Sequence, residues 1–226
     1  MDFKMQPFRK LDGVAVALRR DNVDTDQVIP ARFLKVARAE GLGDTLFRDL
    51  RFDQSGKPRP DFPLNDPARK GASVLIGRHN FGVGSSREAA VYALVDYGIR
   101  CVVATSFGDI FAGNSVNNGL VAAIVSEEDI EKLLSAVEQT GRAEVDLEEQ
   151  TIKSGNYVVP FTIDPARKTR LINGWDELDL TAQYRDKIEA FAAKDRVERP
   201  WAVPRGFSWV GSLRRSGTLG LCGSLD

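Results

Sequence analysis

The chain has 226 residues, enough for one large domain or two small ones with a sizeable apolar core. Hydrophobic residues make up 42% and charged residues 28%, a composition that is typical of globular proteins and excludes disordered, collagenous and membrane-embedded chains. Because 31 basic residues are balanced by 32 acidic ones, no general positive field indicates nucleic acid or an anionic membrane as a partner.

The first third of the chain is predicted to contain one strand, one helix, a turn and a long loop. Alternating apolar residues predict a strand over 13–18, and an Asp-rich turn follows at 21–26. Helical periodicity after Pro30 predicts a helix over 32–40, ended by Gly41. Closely spaced Pro and Gly residues predict a long surface loop over 53–67.

The middle of the chain alternates strands with helices. Short apolar runs predict strands over 73–77, 100–104 and 120–125. Helical periodicity predicts helices over 85–97, 106–117 and 126–140, with Ser106 and Ser126 as N-caps and Gly141 at the end of the third. This alternation predicts an α/β layer architecture with a largely parallel sheet.

The pattern changes towards the C-terminus. Short alternating segments between 143 and 163 predict a hairpin that turns around residues 154–156. Helices are predicted over 165–173 and 181–194. Residues 205–226 are rich in Gly, Ser and Leu without a clear period, which predicts a disordered tail.

Few residues are available for metal or nucleophilic chemistry. Two cysteines, Cys101 and Cys222, and one histidine, His79, exclude a disulfide framework and a closed zinc site built from these ligands. Cys101 lies in an apolar run and is interpreted as a core residue. An enzyme of this composition would use carboxylates, hydroxyls and arginine, or a partner that brings the missing ligands. No signal peptide or membrane span is recognisable, so we predict a cytoplasmic protein.

The most unusual segment is NFGVGSSRE at residues 80–88, between a predicted strand and a predicted helix. Its two glycines permit close backbone approach, and Ser85 and Ser86 come where a helix start offers free N–H groups. Arg87 adds a fork suited to a carboxylate although the helix dipole disfavours a cation there. A helix cap with Glu88 as the capping-box acid is the competing interpretation. The segment lacks the Walker A and dinucleotide fingerprints, so by itself it predicts a site for a small anion.

Two other polar features have competing interpretations. His79 could orient a ligand or form a local hydrogen bond. The acids Asp21, Asp24 and Asp26 could bind a cation, but the loop lacks the pattern of an EF-hand, and capping and turn chemistry explains such a segment equally.

Taken together, the polar motifs resemble the small subunit of 3-isopropylmalate dehydratase, the swivelling domain of the aconitase superfamily. The resemblance rests on DTDQVIP at 24–30, NFGVGSSRE at 80–88, and SFGDIF at 106–111 with NGL at 118–120. It covers about residues 7–204. It implies a three-layer swivelling domain of the β/β/α type, with a mostly parallel central sheet, over residues 1–204, and it leaves the tail at 205–226 outside.

The resemblance implies a hydro-lyase of leucine biosynthesis, which isomerises 2-isopropylmalate to 3-isopropylmalate by dehydration and rehydration. In that family a separate large subunit holds a [4Fe-4S] cluster, and the small subunit closes over the site. The chain is therefore expected to bind no cofactor and to be active as part of a heterodimer or heterotetramer. A small dicarboxylate is the implied substrate, and neither nucleic acid nor membrane is an expected partner.

The resemblance also implies roles for particular residues. Ser85 matches the serine whose alkoxide takes a proton from carbon, while Ser86 and Arg87 match groups that bind substrate carboxylate. Asp26 matches an acid near the same site, and it is expected to bind substrate together with Thr25 of the same turn. The following segment, with Phe33 and Leu34, is expected to contact the substrate side chain, although packing against the core predicts the same apolar residues.

Several positions depart from the family's pattern: Val83 replaces a cysteine, AAVY at 89–92 replaces a His-Ala-Pro-Trp sequence, and Ser115 and Val116 replace a cysteine and an aromatic residue. These departures indicate a divergent paralogue. They leave open a related substrate, such as homoaconitate, citramalate or dimethylmalate, and a non-catalytic domain that binds a small carboxylate.

Overall fold

The computed structural model describes residues 5–202. Contacts divide the chain into two compact units, Met1–Leu180 and Thr181–Asp226. The predicted domain end at residue 204, the predicted tail over 205–226 and Cys222 lie outside the described residues. Among residues 5–202, none of the helices has the length and apolar content that crossing a bilayer requires.

The first unit is built on a seven-stranded sheet in the order β4-β3-β2-β1-β5-β6-β7. Strands β4, β3, β2 and β1 are parallel, whereas β1, β5, β6 and β7 pair antiparallel. The α/β class and the predicted hairpin are confirmed. The strands are β1 (Lys10–Ala17), β2 (Ala72–Ile76), β3 (Cys101–Ala104), β4 (Val121–Ile124), β5 (Arg142–Asp146), β6 (Thr151–Ser154) and β7 (Tyr157–Pro160).

Eight α-helices lie within the described residues. They are α1 (Thr25–Val28), α2 (Arg48–Arg51), α3 (Glu88–Tyr97), α4 (Asp109–Asn117), α5 (Glu127–Thr140), α6 (Pro165–Asn173), α7 (Glu177–Ala182) and α8 (Arg185–Glu198). As predicted, the Ser126 hydroxyl caps α5 by accepting from the Asp129 N–H, and Gly141 ends that helix with a left-handed backbone. The last predicted helix begins at Arg185 rather than at residue 181.

Each face of the sheet carries its own apolar cluster because successive strand residues point to opposite sides. Val74 and Ile76 of β2 belong to the cluster beneath α5, whereas Leu75 belongs to the cluster beneath α3. Helix α5 also contacts β6 and β7, so the antiparallel half of the sheet curls around it. Helices therefore lie on both faces of the sheet, α3 on one and α5 on the other.

The helix predicted over 32–40 is wrong. The segment forms two separate 3-10 turns, Ala31–Phe33 and Arg38–Glu40, and the backbone at Ala37 between them is extended. Phe33 and Val36 nevertheless pack against the α3-side cluster. Tertiary packing thus explains the apolar spacing that suggested a helix.

Two predicted helix starts are also corrected. Helix α3 begins at Glu88 instead of Ser85, and α4 begins at Asp109 instead of Ser106. The preceding residues pair with one another, since Phe81 forms a parallel bridge with Phe107. For α4 the reason is visible, because the Ser106 carbonyl and the Gly108 N–H bond to Phe81 and are not available to a longer helix.

We expect an ionic contact at the end of β1 to make stability depend on pH. Arg19 Nε donates to Glu138 Oε1 of α5 at 2.6 Å, and this bond holds the pKa of Glu138 below its ordinary value of 4.5. The contribution of the Arg19–Glu138 pair to the free energy of unfolding is therefore present above pH 4.5 and is lost as the pH falls through the lowered pKa of Glu138. Arg19→Met should lower the free energy of unfolding at pH 7 by about 0.5–1 kcal/mol, because solvent screens the pair.

Urea denaturation at pH 7 and at pH 3 measures this effect. The difference between wild type and Arg19→Met should shrink at the lower pH. Arg142→Met is the matched control, because Arg142 pairs with Asp12 where both side chains are more than half exposed. A difference for Arg19→Met that is unchanged at pH 3 would contradict the assignment.

Candidate functional site

The first two motifs meet where the parallel strands β1 and β2 end. The Asn22 N–H donates to the His79 carbonyl at 2.9 Å, the Gly82 N–H to the Val23 carbonyl at 2.8 Å, and the Thr25 N–H to the Val83 carbonyl at 2.8 Å. These bonds form a short parallel ladder beyond the sheet. Because carboxyl ends of parallel strands share one edge, the ladder lies where α/β proteins commonly bind ligands.

The third motif completes the arrangement on the other side. The Phe81 N–H donates to the Ser106 carbonyl at 3.0 Å, and the Gly108 N–H donates to the Phe81 carbonyl at 3.0 Å. The Ser106 hydroxyl, predicted as a helix cap, instead accepts from the Asn80 N–H at 2.9 Å. The segment at 79–83 is therefore held between the loops after β1 and β3.

Two asparagines that the sequence interpretation missed fix the start of this ladder. Asn22 has a φ of 52° and Asn80 a φ of 62°, both in the left-handed region. Asn80 Nδ2 donates to Asn22 Oδ1 at 2.8 Å, which joins the two strained positions. Asparagine tolerates this conformation better than most residues, so the Asn that starts the second motif and the Asn two residues before the first motif were the available signal.

Gly82 allows the second motif to pack on the aromatic core. Its φ is +74°, and a Cβ placed there would lie 2.2 Å from Cγ of Phe111. We expect Gly82→Ala to lower the free energy of unfolding by about 2–4 kcal/mol, because backbone strain and overpacking add. Urea denaturation measures the loss.

Gly71→Ala is the matched control for this substitution. Gly71 has a φ of +76°, close to that of Gly82, and nothing lies within 4 Å of a Cβ placed there. It should show the backbone strain alone, about 1–2 kcal/mol. Equal losses for the two variants would show that packing on Phe111 contributes nothing.

Ser85 and Ser86 lie on an exposed turn between the ladder and α3. Gly84 before them has a φ of +94°, and a Cβ there would lie 2.2 Å from Oδ2 of Asp24. The competing interpretation of the serines as helix caps is wrong, because the N-cap of α3 is Arg87 and it makes no side-chain cap bond. Both serine residues are thus exposed just before a helix start.

Arg87 pairs with Asp26, so the structure brings together two residues that were predicted separately as ligand-binding. Their side chains form an ion pair and hydrogen bond. The Arg87 side chain is 18% exposed and that of Asp26 is 51% exposed. A carboxylate ligand that reached Arg87 would meet a guanidinium already oriented by Asp26.

Thr25 differs from the other predicted ligand-binding residues because it is buried. It is 2% exposed, and its hydroxyl donates to the Ser85 carbonyl at 2.9 Å. The Asp24 carboxylate beside it accepts from the Asp26 N–H at 2.6 Å. The Asp24 carboxylate therefore caps α1, as the interpretation of the Asp-rich segment as turn and capping chemistry predicts.

Phe33 and Leu34 lie on the turn that follows α1. Phe33 is half-buried against the α3-side cluster, and the Arg32 guanidinium lies 4.6 Å from its ring centroid. Leu34 is 41% exposed. Both residues were predicted to contact the substrate side chain. Leu34 has exposed apolar surface for such a contact, whereas much of Phe33 packs against the protein core.

His79 forms local hydrogen bonds, in line with the simpler of its two interpretations. Its Nδ1 lies 3.1 Å from the Ser106 hydroxyl oxygen, and its backbone N–H donates to Oδ1 of Asp21 at 3.1 Å. His79 and Ser106 also line a cleft of about 530 Å³ with the first turn of α5. Ser85 and Arg87 do not line this cleft.

The described residues do not fit a resident metal. Among residues 5–202, no group of three or more His, Cys, Asp or Glu side chains could hold an ion. Cys101 is fully buried in β3, and this burial raises the pKa of its thiol. A thiolate ligand at that position is therefore unfavourable.

The chain has clear relatives among known proteins. Residues 5–128 match the family described as the aconitase C-terminal domain. The chain is 48% identical over 202 residues to the 3-isopropylmalate dehydratase small subunit of Rhodospirillum centenum, covering 88% of this chain and 100% of the relative. It is 46% identical over 200 residues to the protein of the same name from Afipia carboxidovorans, covering 87% and 100%.

A solved structure agrees with these matches. The crystal structure of 3-isopropylmalate dehydratase from Methanocaldococcus jannaschii is similar with a TM-score of 0.55 and 26% sequence identity. The match covers 82% of this chain and 99% of that chain. The fold and the sequence therefore point to the same family.

Proposed function

The chain belongs to the aconitase C-terminal domain family and, within it, to the 3-isopropylmalate dehydratase small subunits, and we propose its function on that premise. It is the small subunit of a hydro-lyase that interconverts 2-isopropylmalate and 3-isopropylmalate in leucine biosynthesis. It works together with a large subunit. The cytoplasmic location stays a prediction.

The exposed serine turn beside Arg87 is the observation that carries the proposal. Three motifs that are far apart in sequence join at one sheet edge, and the turn they hold leaves Ser85 and Ser86 open to solvent. A buried serine at this position could not meet a substrate on another chain. An open turn is what a half-site needs when a partner subunit completes it.

Ser85 would act as the base of the elimination. Dehydration removes a proton from one carbon and the hydroxyl group from its neighbour, and a double bond forms between the two carbons. The alkoxide oxygen of Ser85 would take this proton and return it during rehydration. Because the alkoxide is unfavourable at the ordinary pKa of serine, the start of α3 and the Arg87 guanidinium would stabilise it.

Arg87 and Ser86 would hold a carboxylate of the substrate. Asp26 keeps the Arg87 guanidinium in place, so the fork would be oriented before substrate arrives. A carboxylate has two acceptor oxygens, which match the paired donors of an arginine. Leu34, exposed on the neighbouring turn, would meet the isopropyl group.

The large subunit would supply the cofactor. The described residues of this chain offer no ligand set, so a [4Fe-4S] cluster would be held by the partner. Such a cluster, when bound, supplies Lewis-acid chemistry towards the substrate hydroxyl and carboxylate. The described residues of this chain would contribute binding, orientation and proton transfer.

Reconstitution tests the proposal. The chain should show no turnover of 2-isopropylmalate alone and should form 3-isopropylmalate when purified together with its large subunit. Homoaconitate, citramalate and dimethylmalate serve as competing substrates in the same assay. Faster turnover of one of these would contradict the isopropylmalate assignment, and turnover of none of the four would contradict the hydro-lyase.

A further inference from the structure

Thr25 makes a bond that the predicted role in substrate binding does not use. Its hydroxyl donates to the carbonyl oxygen of Ser85, 60 residues away in sequence. The side chain is 2% exposed, so it cannot present its hydroxyl to a substrate. A buried hydroxyl that donates to a backbone carbonyl helps to fix the position of that carbonyl.

The bond extends the ladder by one step. Backbone bonds join the first two motifs up to Thr25 and Val83, and the Thr25 side chain then reaches beyond them to Ser85. Gly84 lies between these contacts with its α-carbon against the Asp24 carboxylate. The Thr25 hydroxyl therefore holds the turn at Ser85, while the Asp24 carboxylate lies close to the preceding Gly84.

Fixing the Ser85 carbonyl also fixes the groups that follow it. The peptide bond is planar and trans, so the Ser86 N–H points away from the carbonyl that Thr25 binds. The Cα–Cβ bond of Ser85 is oriented by the same backbone. A change of about 1 Å at a reacting group can cost about a hundredfold in rate.

We infer that Thr25 is a positioning residue, which sets the orientation of Ser85 through its hydroxyl and does not contact the substrate. The expected effect of Thr25 on kcat rests on the proposed function. The positional consequence, a turn that is held less firmly without the hydroxyl, is independent of any activity.

Thr25→Val tests this inference because it keeps the shape of the side chain and removes the hydroxyl. In the reconstituted enzyme, kcat should fall about ten- to a hundredfold with little change in KM. Thr25→Ser restores the donor and should recover most of the lost kcat. Tryptic cleavage after Arg87 in the small subunit should become several times faster in Thr25→Val.

Thr45→Val is the matched control. Thr45 is 8% exposed, and its hydroxyl donates to the Leu42 carbonyl at 2.6 Å, far in sequence from the serine turn. It should lose comparable stability without a loss of kcat or faster cleavage after Arg87. Equal losses of kcat in the two valine variants would show a general effect of stability and overturn the inference.

Other outcomes also separate the hypotheses. A kcat of Thr25→Val within about twofold of wild type would overturn the inference while leaving the hydro-lyase intact. An inactive wild-type complex would count against the proposed function, and the cleavage assay would still decide the role of Thr25. If Thr25→Val does not fold, Thr25→Cys is compared with Thr25→Ser, since a thiol is the weaker donor; equal kcat values would overturn the inference.

Discussion

Replacing Ser85 with alanine is expected to lower kcat of the reconstituted enzyme by about 10²–10⁴-fold, the usual contribution of a positioned general base. The exposed Ser85 hydroxyl precedes the start of α3 by three residues, so its removal leaves the fold intact and takes away the proton acceptor. Steady-state kinetics in both directions of the isomerisation measure the effect, and KM should change little.

Ser55→Ala is the matched control for this variant, because Ser55 is also an exposed serine on a loop and its hydroxyl donates to Asp53. It should retain full activity. A Ser85→Ala enzyme with wild-type kcat would remove the base assignment while leaving family membership untouched.

Replacing Arg87 with glutamine is expected to raise KM for 2-isopropylmalate about 10- to 100-fold, since a charge-assisted hydrogen bond contributes about 1.5–3 kcal/mol. The Arg87 side chain is mostly buried beside Asp26, so its loss also leaves that carboxylate without a cation. Asp26→Asn keeps the arginine and weakens its orientation, and we expect a smaller rise in KM.

Arg142→Gln is the matched control, since Arg142 pairs with Asp12 on the surface and both side chains are exposed. Its kinetic constants should equal those of wild type. If Arg87→Gln left KM unchanged and lowered kcat alone, the role of Arg87 in binding the substrate carboxylate would be wrong and only its role towards the alkoxide of Ser85 would stand.

The two variants also separate an enzyme from a binding domain. A domain that merely held a small carboxylate would lose affinity for it in Arg87→Gln and lose little in Ser85→Ala. Calorimetric titration of the complex with 2-isopropylmalate, beside the kinetic assay, measures affinity directly. Loss of turnover with retained affinity in Ser85→Ala is the result that the hydro-lyase predicts.

Much of the fold could be predicted from local patterns. A short apolar run such as residues 100–104, closely preceded by Gly98, indicates a buried strand by its length and β-branched residues. The cap at Ser126 and the stop at Gly141 defined α5 within a residue. Helical periodicity gave a wrong prediction over residues 32–40, which form two 3-10 turns. Burial of Phe33 and Val36 requires apolar side chains at these positions and does not require a helix.

The sequence by itself determined the α/β class, the order of elements from β2 to α5, the three motifs and the scarcity of metal ligands, because each depends on residue type and spacing along the chain. The tertiary structure alone decided what those residues contact. It joined Arg87 to Asp26 and Thr25 to Ser85, across 61 and 60 residues. Bonds between loops depend on which strands lie side by side, and composition and periodicity do not encode that order.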